Sequence, residues 1–115
     1  QEASLPIKEI KIVLKNFLDN AIKFSEPGAT IVLKVNELPN SIFWEVKNPG
    51  LEVSKEIQRT LFELGGNSSK GTRREPGTGI GLSLCKKIAT KLNWEIGYLH
   101  SIKGENIFFI ETPRY

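Results

Sequence analysis

Within one short chain the spacing of apolar residues changes from a helical to a strand period, and then does so again. Ile7, Ile10, Leu14, Phe17, Leu18, Ala21 and Ile22 fall within about 140° of arc at roughly 100° per residue, which predicts a helix laid on something flat. Thr30 to Val35 and Ile42 to Val46 alternate as half-buried strands do, with Ile31, Leu33 and Val35 on one face of the first and Ile42, Trp44 and Val46 on one face of the second. Leu38-Pro39-Asn40-Ser41 turns between them. Ser54 is the expected N-cap of a short helix ending near Phe62, with Ile57 and Leu61 on one side. A further helix is expected to carry Ile80, Leu84, Ile88 and Leu92 inward, and Trp94 to Leu99 and Ile107 to Glu111 read as strands around a turn at Lys103-Gly104-Glu105. The order is α-β-β-α-loop-α-β-β, without an internal repeat or a linker. A chain of 115 residues supports one core, so residues 1–115 read as a single domain.

The loop in that order is the first sign of function. From Gly65 to Gly77 no Val, Ile, Leu or aromatic residue occurs, and the run closes as Gly77-Thr78-Gly79-Ile80-Gly81-Leu82 at the mouth of the long helix. Glycines let a backbone approach an anion closely, and the unpaired N–H groups of a helix's first turn carry partial positive charge toward it. A nucleotide phosphate is the first ligand to consider. Two familiar phosphate motifs are excluded: Leu82 stands where a dinucleotide fingerprint needs its third glycine, and no Gly-Lys-Ser/Thr follows four spacers. By itself the glycine spacing also fits a plain turn before a helix.

A second feature lies on the first helix. Asn16, Asn20 and Lys23 sit within about 60° of one another, away from the apolar arc. Asn costs up to ~0.7 kcal/mol relative to Ala in a helix interior, so two of them one turn apart call for a reason. One reading is a solvated face. The other is that amide oxygens coordinate Mg²⁺, a hard cation that prefers oxygen ligands, while the Lys23 ammonium faces a polyphosphate.

Composition narrows the alternatives. The net charge is +3, but the sixteen Lys and Arg are interleaved with thirteen Asp and Glu, which does not make the clustered footprint of a nucleic-acid binder. A single cysteine, Cys85, forms no intramolecular disulfide and reads as helix packing. No signal-like or membrane-spanning apolar run occurs, so a cytoplasmic domain without direct membrane contact is expected. The absence of any Met suggests a fragment of a longer protein, which could itself be membrane-anchored. Trp44 and Trp94 are expected at the interface of sheet and helices.

The residues now carry a resemblance. Asn16-Phe17-Leu18-Asp19-Asn20-Ala21-Ile22-Lys23-Phe24-Ser25 resembles the N box of sensor histidine kinases, and Gly77-Thr78-Gly79-Ile80-Gly81-Leu82-Ser83-Leu84-Cys85-Lys86-Lys87-Ile88 resembles their G2 box. Leu61-Phe62-Glu63 is similar to the F box, and Phe109-Ile110-Glu111-Thr112-Pro113 to the closing strand. The match runs from about Ile10 to Pro113 in the family's order. It implies the Bergerat ATP-binding fold: an α+β, two-layer sandwich whose mixed, mostly antiparallel sheet carries helices on one face. It implies ATP and Mg²⁺ as ligands, with Asn20 on the metal and Asn16 and Lys23 on the phosphate side. Phe24, Asn48 and Gly50 would line the nucleotide, and Gly77, Thr78, Gly79, Ile80, Gly81 and Leu82 would meet the phosphates. Residues 65–78 would form a mobile lid in which Lys70, Arg73 and Arg74 are phosphate contacts or simply a solvated basic loop.

Position 16 separates branches of the superfamily. Gyrase-type hydrolases place a Glu there to activate water; an Asn16 amide accepts no proton, so transfer of a phosphoryl group fits better than hydrolysis. The acceptor would be a histidine on a separate dimerisation domain of a homodimeric parent, with a response regulator downstream. His100, the one histidine here, lies at a strand end far from the N box and is not expected to be that acceptor. One stretch departs from the family. Its G1 box reads Asp-x-Gly-x-Gly, and Asn48-Pro49-Gly50-Leu51-Glu52-Val53 replaces the Asp and the second Gly. An Asn48 amide oxygen still accepts from the adenine amino group, with a loss of about 1 kcal/mol, or roughly fivefold. Glu52 is expected to crowd the site and repel a polyanion. Two other functions therefore stand beside the kinase: a degenerate nucleotide-sensing or protein-interaction module, and an anti-sigma-factor-like serine kinase.

Overall fold

The computed structural model describes residues 5–63 and 78–115, of which 78–80 are described by backbone alone. Helix α1 is Ile7–Phe24, strands β1 and β2 are Val32–Glu37 and Ser41–Pro49, and α2 is Lys55–Arg59. Helix α3 is Thr78–Leu92, and β3 (Glu95–His100) and β4 (Glu105–Pro113) close the chain. The four strands make one sheet in the order β1-β2-β4-β3, with α1 and α3 packed on one face. The chain is α+β and two-layered, as the resemblance implies.

Every strand pair among the described residues is antiparallel, which corrects the expectation of a mixed sheet. The reason is topological. The helical connection from β2 to β3 is a parallel crossover, but β4 returns through a tight hairpin and slots between them, splitting the parallel pair. That hairpin is closed by Gly104 at φ +84°, a backbone conformation that costs little only without a Cβ.

Alternation along β4 decides which face is inside: Asn106, Phe108, Ile110 and Thr112 are buried, and the residues between them are not. Phe108 meets Phe17 of α1 at 5.6 Å between ring centroids, and Val13, Ala21, Val46, Leu82, Cys85 and Ala89 complete a core. Burying a side chain such as Phe17 or Phe108 is worth ~1.5–3 kcal/mol, and truncating one to Ala costs ~3–5 kcal/mol through the cavity left behind. Trp94 is buried and donates to the Tyr115 hydroxyl at 2.9 Å, while the half-buried Trp44 donates to Thr112 Oγ1 at 3.1 Å. Cys85 is fully buried, as expected of a packing residue.

Both long helices are rotated from their expected faces. On α1 the buried set is Ile10, Val13, Phe17, Asn20 and Ala21, whereas Ile7 is 51% and Ile22 63% exposed. α1 packs against α3 as well as against the sheet, so the inward face shifts from the apolar arc toward the Asn stripe. On α3 the inward residues are Leu82, Cys85 and Ala89, and Leu84 is 41% exposed. Ile88 and Leu92 do pack on the core; the Ile80 side chain lies outside the described residues. β1 is an edge strand whose Leu33 and Val35 share the face of Val46 and Trp44 yet remain about half exposed, because no helix among the described residues covers that edge.

Helix ends are set locally. α3 stops in a Schellman motif: Asn93 takes φ +62°, its N–H reaches Thr90 O at 3.3 Å, and Trp94 N–H reaches Ala89 O at 2.8 Å. Ser54 caps α2 by accepting from Ile57 N at 3.2 Å.

Candidate functional site

α1 is the spine of the site because α3 and the loop after β2 both come to it. Gly81 on α3 faces Asn16 on α1 so closely that a Cβ on Gly81 would collide with Asn16 Oδ1. A glycine here therefore sets the approach of the two helices, and with it the position of the first turn of α3 beside the Asn stripe. Two turns further along α1, the position of a Cβ on Gly50 would be 3.3 Å from Phe24 O and 3.4 Å from Asn48 Nδ2. Asn16 and Phe24 are about 12 Å apart along the helix axis at ~1.5 Å per residue, so the site is elongated.

At its first end the amides point in a particular sense. Asn16 Nδ2 donates to Ile12 O at 2.9 Å and Asn20 Nδ2 donates to Asn16 O at 2.9 Å, so both spend their donors on their own helix. The acceptors are left over. Asn20 is only 4% exposed, and its Oδ1 is buried without a hydrogen-bond partner among the described residues. An orphaned buried carbonyl costs ~1–3 kcal/mol; a hard cation is the kind of group that an unpaired carbonyl lone pair would hold. Lys23 is half-buried with Nζ 5.7 Å from the Phe24 ring centroid. The backbone of Thr78, Gly79, Ile80 and Gly81 opens α3, and the first four N–H groups of a helix have no acceptor within it.

At the second end the same signature recurs. Asn48 is 1% exposed, donates Nδ2 to Pro49 O at 3.0 Å, and leaves its Oδ1 buried and unpartnered among the described residues. The loop that follows is tied to the β3–β4 hairpin at four points. Gly50 N–H donates to Gly104 O at 3.1 Å, and His100 Nε2 meets Gly50 O at 2.9 Å. Asn106 Nδ2 donates to Leu51 O at 3.1 Å, and Val53 N–H donates to the Tyr98 hydroxyl at 2.9 Å. Tyr98 in turn donates to Asn106 Oδ1. Burial pushes the Tyr98 phenol up from its ordinary pKa, with the Val53 N–H opposing.

Glu52 does not crowd this end as expected. Its carboxylate lies on the surface, where Gln58 Nε2 donates to it at 3.2 Å and Lys55 Nζ at 3.3 Å. Hydrogen bonds from Gln58 and then Lys55 hold its pKa below the ordinary value. Both donors belong to α2, so the carboxylate is engaged by that helix at the surface.

The structure thus brings Asn16, Asn20, Lys23, Phe24, Asn48, Gly50, Gly81 and the backbone of 78–80 along one helix. Lys70, Arg73, Arg74 and Gly77, with the stretch 65–77, lie outside the described residues. Leu82 is 1% exposed in the core, so its backbone alone remains to meet a ligand. Tyr98, Asn106 and His100 were not legible as site residues. The strand expected to start at Ile107 begins at Glu105, which puts Asn106 on the inner face opposite Asn48; extending the alternation of Phe108 and Ile110 back by two would have found it.

With this geometry in view, the chain's place among known proteins is clear. It belongs to the family described as histidine kinase-, DNA gyrase B- and HSP90-like ATPases, whose model matches residues 7–115. It is similar to the sensor protein KdpD of Clostridium acetobutylicum, with 34% identity over 106 residues, covering 91% of this chain and 12% of that protein. Its fold is similar to the mycobacterial sensor histidine kinase MprB, with a TM-score of 0.78 at 22% identity over 92% of this chain and 72% of that one. It is also similar to the nucleotide-free catalytic domain of the histidine kinase ThkA, with a TM-score of 0.75 at 26% identity over 92% of this chain and 66% of that one.

Proposed function

We propose that this chain binds MgATP between α1, the start of α3 and the loop after β2, and presents its γ-phosphoryl group to a histidine on a separate domain. The observation that carries this is the pair of buried, unpartnered carbonyls, Asn20 Oδ1 and Asn48 Oδ1. One is suited to a cation and the other to an exocyclic amine. Structural amides rarely leave a buried acceptor unmade; two on one elongated site suit a ligand with a cationic end and a base.

When bound, Mg²⁺ would neutralise phosphate oxygens and sit against Asn20. The chain's own part is positioning and charge. The first-turn N–H groups of α3 would receive the phosphates, Lys23 would add a positive charge, and the Asn48 carbonyl would accept from the 6-amino group. Asn16 carries no proton-accepting side chain, which disfavours activation of water here and favours transfer. His100 is engaged with Gly50 O and is not assigned as an acceptor. The phosphoacceptor domain, the homodimer and the response regulator belong to the proposed parent protein, consistent with the sensor proteins to which the chain is similar. No helix among the described residues is long and apolar enough to cross a membrane.

Calorimetric titration with ATP, with and without Mg²⁺, tests the binding step. Saturable, Mg²⁺-dependent binding is expected. Transfer is tested by adding the phosphoacceptor domain of a sensor kinase and following acid-labile phosphate. Binding without transfer would favour the nucleotide-sensing module, for which the Asn48 replacement is the specific support; no binding at all would overturn the proposal.

A further inference from the structure

We propose that Tyr98, Asn106 and His100 are positioning residues that set purine selectivity, by locking the amide of Asn48 with its carbonyl toward the base. The inference rests on the nucleotide site proposed above and concerns the amide that stands at position 48, where the G1 box has an Asp. A carboxylate at position 48 would offer acceptors whichever way it turned. An amide offers an acceptor on one side and a donor on the other, so Asn48 reads a 6-amino purine in one orientation and a 6-oxo purine in the other.

The lock is visible in the hydrogen bonds. Asn48 Nδ2 is bound to the carbonyl of its neighbour Pro49 at 3.0 Å, which leaves Oδ1 as the free group. Pro49 ends β2 in register with Glu105, and the peptide that carries its carbonyl is held on the other side by Gly50 N–H donating to Gly104 O at 3.1 Å; the residues after it decide whether that peptide plane stays in place. Those residues are held from β3 and β4: Gly50 O by His100 Nε2 at 2.9 Å, Leu51 O by Asn106 Nδ2 at 3.1 Å and Val53 N–H by the Tyr98 hydroxyl at 2.9 Å. Tyr98 also donates to Asn106 Oδ1, which fixes the sense of the Asn106 amide in turn. Asn106 is 2% exposed and pairs in register with Asn48 across β2 and β4. Its Nδ2 lies 3.2 Å from where a Cβ on Gly50 would be. Three side chains here hold a loop in which Glu52 stands where the family has its second glycine.

The test is the ratio of dissociation constants for ATP and GTP in Mg²⁺, measured with the unfolding midpoint of each nucleotide-free variant. Tyr98→Phe keeps the ring contact with Phe108, at 5.3 Å between centroids, and removes only the hydroxyl. The expected result is an ATP preference narrowed about fivefold, the scale of one or two lost hydrogen bonds. His100→Leu should narrow it as well, and His100→Gln, whose amide nitrogen reaches about as far as Nε2, should restore it. These two serve if Tyr98→Phe does not fold. In an Asn48→Asp background, Tyr98→Phe should leave the ratio unchanged, because a carboxylate has no donor side to turn inward. A wild-type chain that binds neither nucleotide would sink the site itself. A wild-type chain that prefers ATP, with variants that keep the ratio or weaken both nucleotides equally, would overturn the lock alone.

Discussion

Replacing Asn20 by Leu, a side chain of similar size, should make the nucleotide-free protein more stable and abolish its response to MgATP. The substitution removes a buried carbonyl that has no partner, recovering ~1–3 kcal/mol. It also gives up the hydrogen bond from Nδ2 to Asn16 O, a loss of ~0.5–1.5 kcal/mol; Leu is the better helix former by a few tenths. The balance favours the variant by roughly 1 kcal/mol, or about 4 °C in unfolding midpoint for a domain of this size. With ligand the order reverses. At a concentration a hundredfold above its dissociation constant, MgATP stabilises the wild type by about 2.7 kcal/mol, and Asn20→Leu should gain nothing. Thermal unfolding followed by circular dichroism, with and without MgATP, reads both effects on the same two proteins. A variant less stable than wild type by 1 kcal/mol or more without nucleotide would show that the Oδ1 atom has a structural partner. A variant that keeps the MgATP shift would show that the carbonyl is not at the metal.

Gly81→Val should destabilise the fold by ~1–3 kcal/mol in chemical denaturation, because its side chain must displace Asn16 and break the bond to Ile12 O. Asn48→Asp should tighten ATP binding about fivefold through a charge-assisted acceptor, while lowering the nucleotide-free unfolding midpoint because the new carboxylate is buried. Calorimetry and thermal melts check the two halves separately. Cys85 is held protonated chiefly by burial, its pKa pushed up from 9.0 to about 12. The unfolded thiol ionises first, so this contribution to stability is complete below pH 9 and is lost as pH rises from 9 toward 12; Cys85→Ala should lack that part of the alkaline loss in denaturant titrations.

The elements and their order follow from hydrophobic period alone, because each long helix and each hairpin buries one face and must show it. The faces themselves were harder to see. Leu84 and Ile22 belong to apolar ridges that a sequence cannot distinguish from the core; Leu82 and Val13 go inward instead, where α1 and α3 meet closely at Gly81. The Asn stripe was legible as a departure from helix propensity, and its burial at Asn20 is what the sequence could not supply. Tyr98, Asn106 and His100 escaped because their role depends on the β4 register, which brings residues about fifty positions apart to the loop after β2. Glu52 looked like an obstacle by alignment to a motif, yet a helix of five residues supplies Gln58 and engages it at the surface.

The most direct measurement is a nuclear magnetic resonance titration of the labelled chain with MgATP, following the side-chain amides of Asn20 and Asn48 and the backbone amides of Gly50, Gly79 and Gly81. All five should move with one dissociation constant, and chelating the metal should reverse the Asn20 shift most completely. Shifts at only one end of α1, or separate constants for Asn20 and Asn48, would contradict a single nucleotide lying along that helix.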